Sequence, residues 1–118
     1  MVQVEHLAEA ALAGDALKLR SLTQDFLRQT ARLADAKPPA SSDLLVSIVA
    51  AGLIELLAER RHEPAPSWSN PIGAAHPPLY LVKAAHAMPR LRRLCESESP
   101  GPLRCRNLFA PPTFLEFA

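Results

Sequence analysis

Residues 42–61 read SDLLVSIVAAGLIELLAERR, the most heavily apolar run in the chain. At about 100° per residue, Leu45, Val46, Val49, Leu53, Ile54, Leu56 and Leu57 cover an arc of roughly half a helix circumference. No single neighbour hides that much surface, so the run reads as a central helix touching several partners, with Leu45, Val49, Leu53, Leu56 and Leu57 at the centre of the core. Ser47, Gly52, Glu55 and Glu59 fall on the other side among small alanines and are expected to form one narrow wet edge. A membrane-spanning helix needs about 20 mainly apolar residues. This run meets Glu55 too early and closes on Glu59, Arg60 and Arg61, so no contact with a membrane is predicted.

The rest of the chain has to cover that helix. With 118 residues it fits one domain able to bury a core without staples. Net charge is +1, which gives no bulk attraction to nucleic acid, yet the charge is divided. Residues 1–59 carry 5 Lys+Arg against 8 Asp+Glu, and residues 60–118 carry 8 against 4, so the C-terminal half is the basic one. All 12 prolines lie at or after Pro38, leaving the first 37 residues free to be helical. Cys95 and Cys105 are too few for a disulfide scaffold and match no zinc or redox spacing. Reduced thiols in a cytoplasmic protein are the expectation. Glu5 and Glu9 interrupt the N-terminal apolar pattern, so a signal peptide is not expected.

Val4, Leu7, Ala8, Ala11 and Leu12 recur at helix spacing, and Gly14 stands where a C-cap wants a left-handed residue. Asp15 suits the N-cap of a second helix, with Leu19, Leu22, Phe26 and Leu33 on one face, fading before Pro38. Residues 1–37 therefore read as a helical hairpin. Ser41 or Ser42 is expected to cap the central helix, with Asp43 at its positive end. In residues 62–77 the prolines leave no room for a helix, and strand alternation is absent. This stretch reads as an ordered strap pinned by Trp68 and Ile72. In residues 78–118, Pro77 and Pro78 suit a helix first turn, and Leu81, Ala84, Ala85, Met88, Leu91 and Cys95 continue one stripe through Pro89. Either the helix kinks at Pro89 or a new one starts there. The last residues, with Leu103, Leu108, Phe109, Phe114, Leu115 and Phe117, are too apolar for a free tail and are expected to dock. The fold class is all-α, a small bundle of four to five helices with a proline-rich strap and a docked tail.

No chemical motif stands out. His6, His62, His76 and His86 show neither i, i+4 pairing nor HExxH, and four scattered glycines build no phosphate loop. Cys95 lies on the apolar stripe, where an inert thiol is expected. No metal, cofactor or catalytic residue is therefore predicted. The feature open to a functional reading is the basic cluster Arg90, Arg92, Arg93, Arg104 and Arg106, with Phe109 beside it. One reading is a solvated surface, with guanidinium groups satisfying Glu96, Glu98 and orphan carbonyls. The other is a patch for an acidic protein partner or for phosphates. The aromatic interleaving used on single-stranded nucleic acid is missing, which favours protein.

Leu57-Ala-Glu-Arg-Arg61, Trp68, Met88-Pro-Arg-Leu-Arg-Arg93, Glu98-Ser-Pro100, Leu103-Arg104 and Arg106-Asn-Leu-Phe-Ala-Pro111 together resemble a family of short uncharacterised bacterial proteins encoded beside nucleotidyltransferase-like toxins. The resemblance spans roughly the last half of the chain and implies a non-enzymatic helical protein, an antitoxin-like partner. The expectation is thus a protein-binding or regulatory protein acting on a partner or on its own copies, with a nucleic-acid-binding helical domain as the alternative.

Overall fold

The computed structural model describes residues 1–116. Phe117, expected to join the docked tail, lies outside them. The first helix, α1 (Val4–Ala13), ends at Gly14, whose φ of 72° is the left-handed conformation that costs glycine least. The Gly14 and Asp15 N–H groups close the last turn by donating to the Ala11 and Ala10 carbonyls, both at 3.1 Å. Asp15 then caps α2 (Ala16–Gln29) by accepting from the Lys18 N–H at 3.1 Å. This helix stops sooner than its apolar spacing suggests. Leu33 still reaches the core, but from a separate 3-10 turn (Leu33–Asp35) whose first N–H donates to Glu63 Oε1 at 3.0 Å.

The central helix, α3, runs Leu44–Arg60. Its cap is Asp43 rather than Ser41 or Ser42, because the Asp43 carboxylate accepts the Leu45 N–H at 2.9 Å while Ser41 Oγ accepts the Asp43 N–H. Val49, Leu53, Ile54, Leu56 and Leu57 are buried in one cluster with Val4, Leu7, Phe26 and Leu33, while Leu45 near the open end is only half-buried. The expected wet edge is not wet at its middle. A Cβ on Gly52 would lie 3.0 Å from both Leu103 Cδ2 and Leu108 Cδ1, so the missing side chain is what lets the C-terminal half approach the helix.

Beyond the strap, the chain forms β1 (Leu79–Tyr80), a 3-10 turn (Lys83–His86), α4 (Pro89–Glu98), the single-turn α5 (Gly101–Arg104) and β2 (Leu108–Phe109). Pro77 and Pro78 do not start a helix. They lead into β1, which pairs in parallel with β2, Leu79 opposite Leu108 and Tyr80 opposite Phe109. Leu79 and Leu81 donate to the Asn107 and Phe109 carbonyls at 2.9 Å, and this long-range pairing overrides the local helical preference. The apolar stripe through Pro89 is broken: Pro89 is the first residue of α4, Cys95 is fully buried and Met88, just outside the helix, is 53% exposed. The tail docks through Leu115, which is buried, and through Arg60, whose guanidinium donates to the Phe114 carbonyl and to the Pro112 carbonyl at 3.2 Å. The whole is a small helical bundle carrying one minimal sheet.

Candidate partner-binding surface

The five arginines of the basic cluster part company in three dimensions. Arg106 is 5% exposed and does not belong to any surface. Its guanidinium grips the Glu55 carboxylate through two bonds of 3.0 and 2.8 Å and donates to the carbonyls of Ser69 at 2.7 Å, Gly73 at 2.9 Å and Ile72. It is the clamp that holds the strap to α3. A planar fork with five N–H donors suits this task, and a lysine could not repeat it. Nearby, Asn107 Nδ2 donates to the Ala75 carbonyl at 3.1 Å and Ala75 donates back to the Arg106 carbonyl at 2.8 Å.

Two further arginines are exposed but engaged. Arg92 reaches back across the start of α4 to the Ala85 and His86 carbonyls at 3.2 and 2.7 Å, fixing the turn that precedes the helix. Arg104 donates to the Ser97 carbonyl at 2.8 Å and ties α5 to the end of α4. Glu96, expected as an arginine partner, instead accepts from the Tyr80 hydroxyl, and that bond is the main reason the Tyr80 phenol is held above its ordinary pKa. Phe109 is half-buried with its ring 5.6 Å from that of Tyr80, which in turn meets His86 edge-on at 5.8 Å. Its place is in this aromatic row rather than among the arginines.

Arg90 and Arg93 remain. Arg90 makes no hydrogen bond or ion pair with any described residue, and Arg93 has only a 3.5 Å contact from Nε to the Pro89 carbonyl. Together with Ala87, Pro89 and the exposed thioether of Met88 they line a shallow hollow at the start of α4. Sequence spacing hid Met88 inside an apolar stripe; the signal against that reading is its position before a helix-starting proline, which takes it off the helix face.

The charges of α4 run against its dipole. Arg90, Arg92 and Arg93 occupy the positive end and Glu96 and Glu98 the negative end. Each such placement costs about 0.3–1 kcal/mol relative to the reverse order. Arg92 recovers this through its two carbonyl bonds. Arg90 and Arg93 have no comparable compensation.

Nucleophilic and metal chemistry find little to build on among the described residues. Cys95 is fully buried and burial pushes its thiol up, Cys105 is exposed, and no three His, Cys, Asp or Glu side chains converge as metal ligands. No helix is long and apolar enough to cross a membrane. The chain matches no protein-family model. Comparisons with curated proteins and with solved structures likewise return no match.

Proposed function

We propose that this is a non-enzymatic protein-binding protein, antitoxin-like in mode of action, whose partner docks on the start of α4 through Met88, Arg90 and Arg93. The observation that carries this reading is the pair of arginines set against the helix dipole around an exposed methionine, Arg90 with no partner among the described residues and Arg93 with only its 3.5 Å contact to the Pro89 carbonyl. Residues that violate a local stability rule without compensation are expected at functional sites. An apolar anchor ringed by two guanidinium groups suits an acidic segment carrying one apolar side chain. The resemblance to partners of nucleotidyltransferase-like toxins supports a protein target, with self-association as the other form of protein contact. Arg106 leaves the proposed surface because it is consumed by the strap, and Phe109 because it packs on Tyr80.

The test is co-purification of the tagged chain from the cells that make it, beside R90E/R93E and a control, K18E/R32E, with the same charge change on the N-terminal half. A protein retained by the wild type and the control, lost with R90E/R93E and still held at raised salt is the expected result. Retention of nucleic acid, released with a log–log salt slope of about 0.9 per phosphate, would instead establish the nucleic-acid reading. Equal recovery by all three chains would remove α4 from the interface.

A further inference from the structure

We propose that a second copy of this chain pairs with the first along α4, antiparallel and about a two-fold axis, through a row formed by Arg90, Leu94 and Glu98. The inference rests on the reading of α4 as a contact surface and deepens it, by naming an occupant for the length of that helix and a state in which its start is covered.

Arg90, Leu94 and Glu98 are spaced i, i+4, i+8 and form one row along the ten-residue helix. At about 100° per residue the row stands about 160° round the helix from Arg92 and Glu96. Those two side chains tie α4 to the Ala85 and His86 carbonyls and to the Tyr80 hydroxyl, so the row is turned away from these contacts. Arg90 and Glu98 are exposed, and the Glu98 carboxylate, like the Arg90 guanidinium, has no hydrogen bond or ion pair with a described residue. Leu94 between them is half-buried and stays outside the main hydrophobic core.

The two charges do not reach each other within one chain, because their spacing along the row is about 12 Å of helix. Arg90 has no acid at i+3 or i+4, where Arg93 and Leu94 stand, and Arg104 gives its guanidinium to the Ser97 carbonyl at 2.8 Å rather than to Glu98. An antiparallel copy centred on Leu94 supplies both. Leu94 meets Leu94 of the partner subunit, Arg90 comes beside Glu98 of the partner subunit, and the two-fold axis repeats the pair at the other end. The charge order that opposes the dipole inside one helix becomes favourable between two, since each Arg90 lies at the carbonyl end of the neighbouring α4. Arg93 stands about a quarter turn off the row, outside these pairs. A helix about 15 Å long with two exposed ion pairs makes a weak, concentration-dependent dimer rather than a permanent one. While it holds, Arg90 is taken, so the outside partner and the second copy compete for the start of α4.

The test is sedimentation equilibrium of the purified full-length chain over about 10 μM to 1 mM, the range of weak complexes, at low and at raised salt. Expected is a monomer–dimer equilibrium that weakens as salt is added. R90E and E98R should each weaken it about fivefold or more, because two attractive pairs become repulsive. R90E/E98R, which restores both pairs in reverse, should return to within about threefold of the wild type, and R93E, off the row, should change the dissociation constant less than about twofold. An equimolar mixture of R90E and E98R should form the mixed dimer where neither pairs alone, since one copy then brings two acids and the other two bases. A wild type that stays monomeric throughout, a dimer indifferent to R90E and E98R, an effect of R93E as large as that of R90E, or single variants that fail to pair when mixed would each overturn the proposal. Recovery of an outside protein by the tagged chain has no bearing on the mass of the purified one, so the two readings fail separately.

Discussion

The two halves of the molecule satisfy their backbones by different means. In α1 to α3 each helix supplies its own hydrogen bonds, and side chains are free to pack: Leu7, Leu53 and Ile54 are wholly buried. From residue 62 onward, prolines remove donors and break local ladders, so side chains are sent to the carbonyls instead. Arg106 serves Ser69, Ile72 and Gly73; Asn107 serves Ala75; Arg92 serves Ala85 and His86; Arg104 serves Ser97; Trp68 Nε1 serves Ala36 at 2.8 Å. A buried carbonyl without a donor costs about 1–3 kcal/mol, which bears most on the buried bond from Arg106 to Ser69, while the bonds to His86 and Ser97 lie in the open. The lesson is that an arginine-rich sequence beside many prolines can be basic for internal reasons. Four of the five arginines in the cluster are donors to their own chain, Arg93 only through one 3.5 Å contact.

That contrast can be broken at its strongest point by Arg106→Leu. Removing the cation leaves Glu55 with only the Ser69 hydroxyl as donor and takes the guanidinium away from the Ile72, Gly73 and Ser69 carbonyls, of which Ser69 keeps the Ile72 N–H, a loss of about 3–5 kcal/mol for a buried pair. Because Glu55 keeps about one fifth of its side chain exposed, the lower end is expected in urea unfolding. The double variant E55L/R106L should recover part of that loss, and a single variant as stable as the parent would show that the strap needs no clamp. In the apolar half, Leu53→Ala should cost about 2–5 kcal/mol with no polar rescue available. A melting temperature within a degree of the parent would place α3 at the periphery.

Ser99→Ala examines the polar scheme on a smaller scale. Ser99 Oγ is buried, accepts the Ala110 N–H at 3.0 Å and donates to the Cys95 carbonyl, so the change should cost about 1–3 kcal/mol. The smallest effect has the opposite sign. R90E and R93E place carboxylates at the positive end of α4 and should each raise stability by about 0.3–1 kcal/mol at low salt, fading as salt is added. A drop in stability would mean that these arginines, too, serve the backbone.

The first half was largely legible in the sequence because its determinants are local. Gly14, Asp15 and the spacing of α1 and α3 announce themselves within a few residues. The second half was legible only in outline: an ordered strap and a docked tail follow from Trp68 and the apolar C-terminal residues, but their fastenings do not. Arg106 and Glu55 are 51 residues apart, and an arginine side chain has the same appearance in a list whether it meets solvent or a carboxylate. A signal did exist in Glu55, an acid in the middle of the most apolar helix with no basic residue at i±3 or i±4, where Ala51, Gly52, Ala58 and Glu59 stand. Such a group demands a cation from elsewhere. Gly52, one turn earlier, likewise marks a close approach rather than a wet edge, because an interior glycine costs a helix about 1 kcal/mol.

The clamp also sets an order in time. The carbonyls of Ser69, Ile72, Gly73 and Ala75 precede their side-chain donors by 37, 34, 33 and 32 residues. At a translation rate of about 5–20 residues per second, they leave the ribosome about 2 to 7 s before Arg106 and Asn107 do. During that interval α1 to α3 can already associate, while the Gly52 flank of α3 waits for Leu103 and Leu108. A nascent chain therefore shows its apolar flank to chaperones for seconds, and synthesis slowed by rare codons between residues 74 and 103 would lengthen that exposure without changing the finished protein.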